Sequence, residues 1–428
     1  MKSIRIPLTN LYAKGGFSAR MSVGGSKTPV NVILDTGSSV LAVRESCYQR
    51  TEDPHFTATS YVQCVEYGSG GWYGPVVKTR VTVGLPGHRA ILNDVEIAIA
   101  SEAGATSFLD ADGILGLAFS PLDTAFDVSQ LLLSEGVQPP DSYPYVLQQP
   151  DQTVSSYSQT LRALPKAAIT PYFTQLEESG AVMDQFALLT HRSSIFHTEK
   201  HQTVEALTCH HLNHGLCVLG KPFEHTELYC NPVYTVPVLH DKYYNVNVSG
   251  VRVGELPEIA VPALDEAHKA SYVSNGIVDS GASMVVMPAP VMHAVKKALY
   301  SYNPAFQPLL DVFGNYSGKE VGVPLDKLDL ATWPDIHLIL TGQGGEPVTV
   351  TLKPDTYWQI HAPAPNQATF KLCSLAGWPN QVIIGLPLLN NYYTIFDRQD
   401  GKNGSVHFAR KVDIPGHIIK AIRLALHE

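Results

Sequence analysis

Two short stretches of this chain carry residues able to do acid–base chemistry. Val32-Ile33-Leu34-Asp35-Thr36-Gly37-Ser38-Ser39 and Gly276-Ile277-Val278-Asp279-Ser280-Gly281-Ala282-Ser283 share one pattern. An apolar run leads to an Asp, then a small hydroxyl residue, a Gly, a small residue and a Ser. Two carboxylates brought close together cannot both ionise cheaply, so they share one proton and titrate as a coupled pair. The ionised partner can take a proton from a water molecule, and the protonated one can donate to a peptide carbonyl. Such a pair needs no covalent intermediate. Gly37 and Gly281 allow a tight loop and offer N–H donors to the carboxylates. Thr36 and Ser280 are candidates for tying the two loops together through their hydroxyls.

One Asp-(Thr/Ser)-Gly alone is an ordinary turn after a strand. Here each copy also has a downstream echo: Asp112-Gly113-Ile114-Leu115-Gly116-Leu117 after the first, Val382-Ile383-Ile384-Gly385-Leu386 after the second. An internal repeat of this kind implies a duplicated architecture. The elements that must position it are strands. Period-two alternation with Val, Thr and Tyr predicts strands over Phe17–Val23, Val30–Leu34 and Val76–Val83. Helical patterns are few: Pro171–Ser179, Met292–Tyr300 and Ile418–His427. The fold class expected is mainly β, with two lobes at 1–215 and 216–428, each barrel-like, meeting at a central cleft. A Pro-rich stretch from Ser120 to Ala168 reads as either a long insertion with no assigned task or the start of an interdomain connection, and His191–His214 as a second irregular stretch.

Composition supports this. Of 428 residues, 44% are hydrophobic and 16% charged, enough apolar material for large cores and far from a disordered composition. A net charge of -9 and no basic stripe argue against a nucleic-acid partner. No run of 18 apolar residues predicts a membrane span. No signal peptide is seen, which implies a cytoplasmic protein, or a secreted or periplasmic one if this is a mature form. The tract Cys209-His210-His211, His214, Cys217, His225 and Cys230 has metal-ligating residue types but no zinc spacing. Its Gly215–Gly220 portion reads as a strand with Cys217 in the core, so no metal and no cofactor are expected. Six cysteines allow three disulfides but do not require an oxidising compartment.

Over nearly its full length the chain resembles the pepsin family of aspartic peptidases. Asp35-Thr36-Gly37-Ser38-Ser39 and Asp279-Ser280-Gly281 match the family's two active-site loops. Val65-Glu66-Tyr67-Gly68-Ser69-Gly70 resembles its flap hairpin, with Tyr67 as the flap tyrosine. Asp112–Leu117 resembles the strand behind the first loop, and Tyr392–Asp397 the C-terminal strand. The resemblance implies an aspartic endopeptidase, catalytic Asp35 and Asp279, and support from Thr36, Gly37, Ser38, Ser280 and Gly281. It implies a substrate-binding flap at Tyr67, Gly68, Ser69 and Trp72, and pocket walls or plain core at Phe108 and Ile114. Partners would be peptide or protein substrates cut between hydrophobic residues and pepstatin-type inhibitors, acting on a monomer. In lacking a visible signal and pro-segment the chain is similar to bacterial members.

Three departures bear on function. The family usually has a Trp three residues after the second Ser of the first loop. Ala42 stands there, and Trp72 in the flap is a replacement similar to that of the β-secretase group. The second loop usually has a hydroxyl residue where this chain has Ala282, while Ser38 keeps the equivalent in the first. Asp279 is therefore expected to hold the shared proton more readily, with a working pH less acidic than pepsin's. The family's short cysteine pair after the first loop is absent. The rival readings are a catalytically silent pepsin-like binding or inhibitor protein, and a metal-binding regulator.

Overall fold

The computed structural model describes residues 2–25, 29–67, 70–85, 87–101, 108, 110–144, 153–314 and 319–412, and for Tyr67 the backbone only. The chain divides into two compact units. One comprises Met1–Ile6 with Ser18–Met183, the other Pro7–Phe17 with Asp184–Glu428. The expected division near residue 215 thus falls inside the second unit. The expected helix Ile418–His427 lies outside the described residues. Among the described residues no helix is long and apolar enough to cross a membrane.

In the first unit, strand Val30–Asp35 runs parallel to Gly113–Gly116, pairing Ile33 with Ile114 and Asp35 with Gly116. Both strands are apolar runs with buried residues, as suits strands covered on both faces. Leu41–Arg44 lies antiparallel on the far side of Gly113–Gly116, and His88–Ala100 runs parallel to Leu41–Arg44. Ser18–Val23 closes the other edge, antiparallel to Val30–Asp35.

The second unit repeats this arrangement strand for strand. Gly276–Val278 runs parallel to Val382–Ile384, pairing Ile277 with Ile383. Val285–Val286 is antiparallel to Val382–Ile384 and parallel to Leu372–Cys373. Asn245–Val246 closes the edge antiparallel to Gly276–Val278. Order and sense agree at all five positions, so the sequence repeat is a structural repeat. The fold is mainly β and pepsin-like.

The helix read at Met292–Tyr300 spans Ala289–Tyr302, with Val291, Met292, Val295 and Leu299 buried along one stripe. That read at Pro171–Ser179 spans Tyr172–Glu178, with Pro171 as its N-cap. The stretch 120–168 is more ordered than its prolines suggested. It contains strand Thr124–Asp127, helices Ser129–Ser134 and Val154–Leu161, and strand Lys166–Ala168. Thr124–Asp127 adds to the hairpin strand Thr57–Tyr67, and Lys166–Ala168 adds to Thr124–Asp127. The irregular stretch 191–214 contains a short α-helix, Val204–Thr208, and a 3-10 turn, His211–Asn213.

In both units the strand behind the Asp loop ends on a glycine. A Cβ on Gly116 would lie 2.4 Å from Ser39 Cα, and one on Gly385 would lie 2.1 Å from the Met284 carbonyl oxygen. Both obstacles are backbone, which cannot rotate aside. Gly116→Ala and Gly385→Ala are each expected to cost about 3 kcal/mol of stability or to abolish folding. Gly314→Ala, whose methyl meets open space, is expected to stay within about 0.5 kcal/mol of wild type. Urea unfolding measures all three, and equal midpoints would refute the backbone constraint.

Candidate active site

Asp35 is the last residue of its strand and is 6% exposed. The Gly37 N–H donates to Asp35 Oδ1 at 2.8 Å, and the Ser38 hydroxyl donates to Oδ2 at 2.5 Å. The loop is fixed from behind. Leu117 N–H donates to the Asp35 carbonyl, and Ala118 N–H to the Ser38 carbonyl, both at 2.8 Å. The Ser39 hydroxyl, fully buried, donates to the Phe119 carbonyl at 2.6 Å. Thr36 is buried beneath the loop.

Asp279 follows its strand in the same way. Its N–H donates to the Ile384 carbonyl at 3.0 Å, and Gly281 N–H donates to its Oδ1 at 2.8 Å, the same bond that Gly37 makes. Leu386 N–H donates to the Ala282 carbonyl at 2.9 Å, holding the loop as Ala118 holds the first. Asp279 is half-buried and Ser280 buried. Ala282 stands at the position of Ser38 and has no hydroxyl to offer. In each unit a glycine N–H donates to Oδ1 of the Asp, and in the first the Ser38 hydroxyl donates as well.

The hairpin strands Thr57–Tyr67 and Gly70–Leu85 are antiparallel, with Tyr67 opposite Gly70 and Val65 opposite Trp72. Gly68, Ser69 and the Tyr67 side chain lie outside the described residues. Trp72 is fully buried, with its ring 6.2 Å from that of Phe108, itself fully buried. The Arg44 guanidinium lies 5.6 Å from the Phe108 ring centre and donates from Nε to the Ala111 carbonyl at 2.9 Å. Ile114 is buried between Ile33 and Ala42.

The histidine and cysteine tract has structural partners. His210 stacks on Phe196 at 4.1 Å, and His214 Nε2 lies 2.6 Å from the Thr208 carbonyl. Cys217 is buried in strand His214–Leu219, as its apolar setting predicted. Burial, then Lys411 and two neighbouring histidines, push the His191 imidazole well below its ordinary range. Among the described residues no group of three or more His, Cys, Asp or Glu could hold a metal ion. None of the six cysteines, all described, is in a disulfide. Burial pushes the Cys64 and Cys373 thiols up to about 12, in the unreactive form.

Sequence reasoning missed what lies beneath the hairpin. Tyr73 stacks on Tyr157 of helix Val154–Leu161 at 4.4 Å, and the Cys64 thiol donates to the Val154 carbonyl at 3.6 Å. Gln63 donates to the buried Asp123 at 2.7 Å. No motif marks these residues, and their partners lie dozens of positions away.

The sequence profile of the eukaryotic aspartyl protease family matches residues 16–158 and 207–410. A beta-secretase of Strongylocentrotus purpuratus is 21% identical over 420 residues, covering 92% of this chain. A vacuolar aspartic protease of Candida albicans is 31% identical over 130 residues, covering 27% of this chain. The chain spans 66% of the length of the first relative and 30% of the second. The profile takes in both Asp loops and both glycine-ended strands behind them, and the chain belongs to the eukaryotic aspartyl protease family.

Proposed function

We propose that the chain is an aspartic endopeptidase in which Asp35 and Asp279 act together on one water molecule. The observation that carries this reading is the duplicated support. Two five-strand arrangements of identical order each end an apolar strand on an Asp whose Oδ1 accepts a glycine N–H at 2.8 Å. A peptide would lie extended in a cleft between the two loops, covered by the Tyr67 hairpin. Asp35, with its Ser38 donor, suits the ionised role and takes a proton from water. The water oxygen then bonds to the peptide carbonyl carbon while Asp279 gives its proton to the carbonyl oxygen. The tetrahedral product collapses as a proton passes to the leaving nitrogen and the C–N bond breaks. Protons return to the pair, so one water is consumed per bond cut. Apolar residues on either side of the bond are the preferred substrates, and the protein acts as a monomer.

Peptide cleavage from pH 3 to pH 7 tests this directly. Pepstatin is expected to block cleavage, and Asp35→Asn or Asp279→Asn to lower kcat by about a thousandfold or more. Cleavage that survives both changes would sink the dyad.

The reading as a silent binding protein draws on Ala282, and Ala282→Ser separates the two. A hydroxyl there stabilises the ionised form of the second carboxyl. The alkaline limb of the pH–rate profile, set by the proton on Asp279, is then expected to move down by about one pH unit. A steep wild-type optimum near pH 2, or an unmoved limb, counts against the proton assignment. A folded protein that cleaves no peptide with either residue at 282 favours the binding protein.

A further inference from the structure

Asp123 is 2% exposed, and its carboxyl has one hydrogen-bond partner among the described residues, the amide of Gln63. Gln63 is 1% exposed and sits in the hairpin strand opposite Gly74, four residues before Tyr67. Its amide also approaches the Thr124 carbonyl at 3.5 Å. On the other side, Asp123 closes the turn Ser120–Leu122 by donating its N–H to the Ser120 carbonyl at 2.9 Å. That turn follows Phe119, whose carbonyl receives the Ser39 hydroxyl of the Asp35 loop. The Asp123 carbonyl accepts Ile169 N–H at 3.0 Å, tying in the far end of the insertion. One carboxyl thus links the hairpin root, the support of the Asp35 loop and the insertion.

Among the described residues no cation compensates it. Burial pushes the Asp123 carboxyl up to about 7, with the Gln63 donor opposing and Glu96 adding to the rise. Glu96, on strand His88–Ala100, lies 3.4 Å from Lys78. Asp127, further along the insertion, is held by Ser60 and Ser129. A neutral acid and an amide suit this site, whereas a carboxylate there draws water into the hairpin root.

We propose that the Asp123–Gln63 pair is a proton-operated latch that fixes the root of the Tyr67 hairpin to the segment behind the Asp35 loop, engaged while Asp123 is protonated and released as it ionises. Asp123 is a positioning residue, and its effect on cleavage rests on the reading of the hairpin as a substrate-covering flap. The sign of the effect is unusual for an Asp. The folded carboxyl holds its proton up to about 7, while an unfolded one loses it near its ordinary value of 3.8. Between those values the folded state binds more protons, so this group lowers stability as pH rises through that window.

The test is thermal unfolding and amide exchange over residues 57–67 from pH 4 to pH 8, made in the Asp35→Asn protein so that self-cleavage does not intrude. Adding Asp123→Asn is expected to leave Tm unchanged at pH 4 and to raise it at pH 8. Adding Gln63→Leu removes a donor that favours the ionised form and is expected to extend the fall in Tm to higher pH. Exchange at the hairpin root, corrected for intrinsic rates, is expected to rise roughly tenfold across the window in the parent and to stay flat with Asp123→Asn. In the otherwise wild-type protein Asp123→Asn extends the alkaline limb of kcat to higher pH. Tm curves that run parallel in all variants overturn the latch. The Tm and exchange pattern without any peptide cleavage leaves the latch standing and overturns the flap reading instead.

Discussion

Each aspartate loop depends on a close approach of two backbones that only glycine permits. At Gly116 and at Gly385 the strand behind the loop comes within 2.4 Å and 2.1 Å of where a side chain would meet neighbouring main chain. That proximity lets N–H groups just past each glycine reach the carbonyls of Ser38 and Ala282. The loop is then braced by main-chain bonds that no rotamer change can undo. The carboxyl inherits its direction from this brace and from the glycine N–H on Oδ1. Flanking Val and Ile residues hold the strands in register, each contributing about 1.5–3 kcal/mol by burial. The apolar run, the Asp and the distant glycine are one mechanical unit, which is why they recur together in the sequence.

The first unit adds a second layer of support. Its hairpin would be a free ribbon beyond the sheet if nothing packed on it, and an isolated hairpin is marginal in water. The insertion supplies the packing. Tyr157 and Leu161 of helix Val154–Leu161 join Leu132, Val62 and Tyr73 in one buried cluster. The hairpin root is thereby rigid, while its turn is left to the residues around Tyr67. Rigid root and separate tip are the mechanical requirements of a flap that must move without losing its register.

What could be read from the sequence follows how local its causes are. The Asp units, the glycine-ended strands and helix Ala289–Tyr302 were legible because each is written in consecutive residues. Cys217 was legible as core because its neighbours are apolar. The insertion was not, because its prolines signal breaks while its order comes from partners such as Phe126 on Val62 and Val154 on Cys64, far apart in the chain. The histidine tract has residue types that suit a metal but a spacing that does not, and its rings have nearer partners: Phe196 for His210 and the Thr208 carbonyl for His214. Composition cannot distinguish a ligand from a stacked ring.

Two carboxyls outside the aspartate loops show how environment, not residue type, decides which groups titrate. Burial opposes ionisation of Glu320, but Lys371, the Ser194 hydroxyl and Arg192 outweigh it and hold Glu320 below its ordinary range. Lys371 is 3% exposed and pairs with it directly. Lys371 and Arg192 favour its charged form, and the network ties segments together. Asp123 is the more sheltered of the two, 2% exposed, with an amide in place of a cation and a carboxyl raised to about 7. Its ionisation must fall within the range where the protein works or fails. An acid beside a cation keeps its charge as a fixed tie, whereas a buried acid with only an amide for a partner depends on its proton. The partner each carboxyl is given, and not the residue type, decides which of the two it becomes.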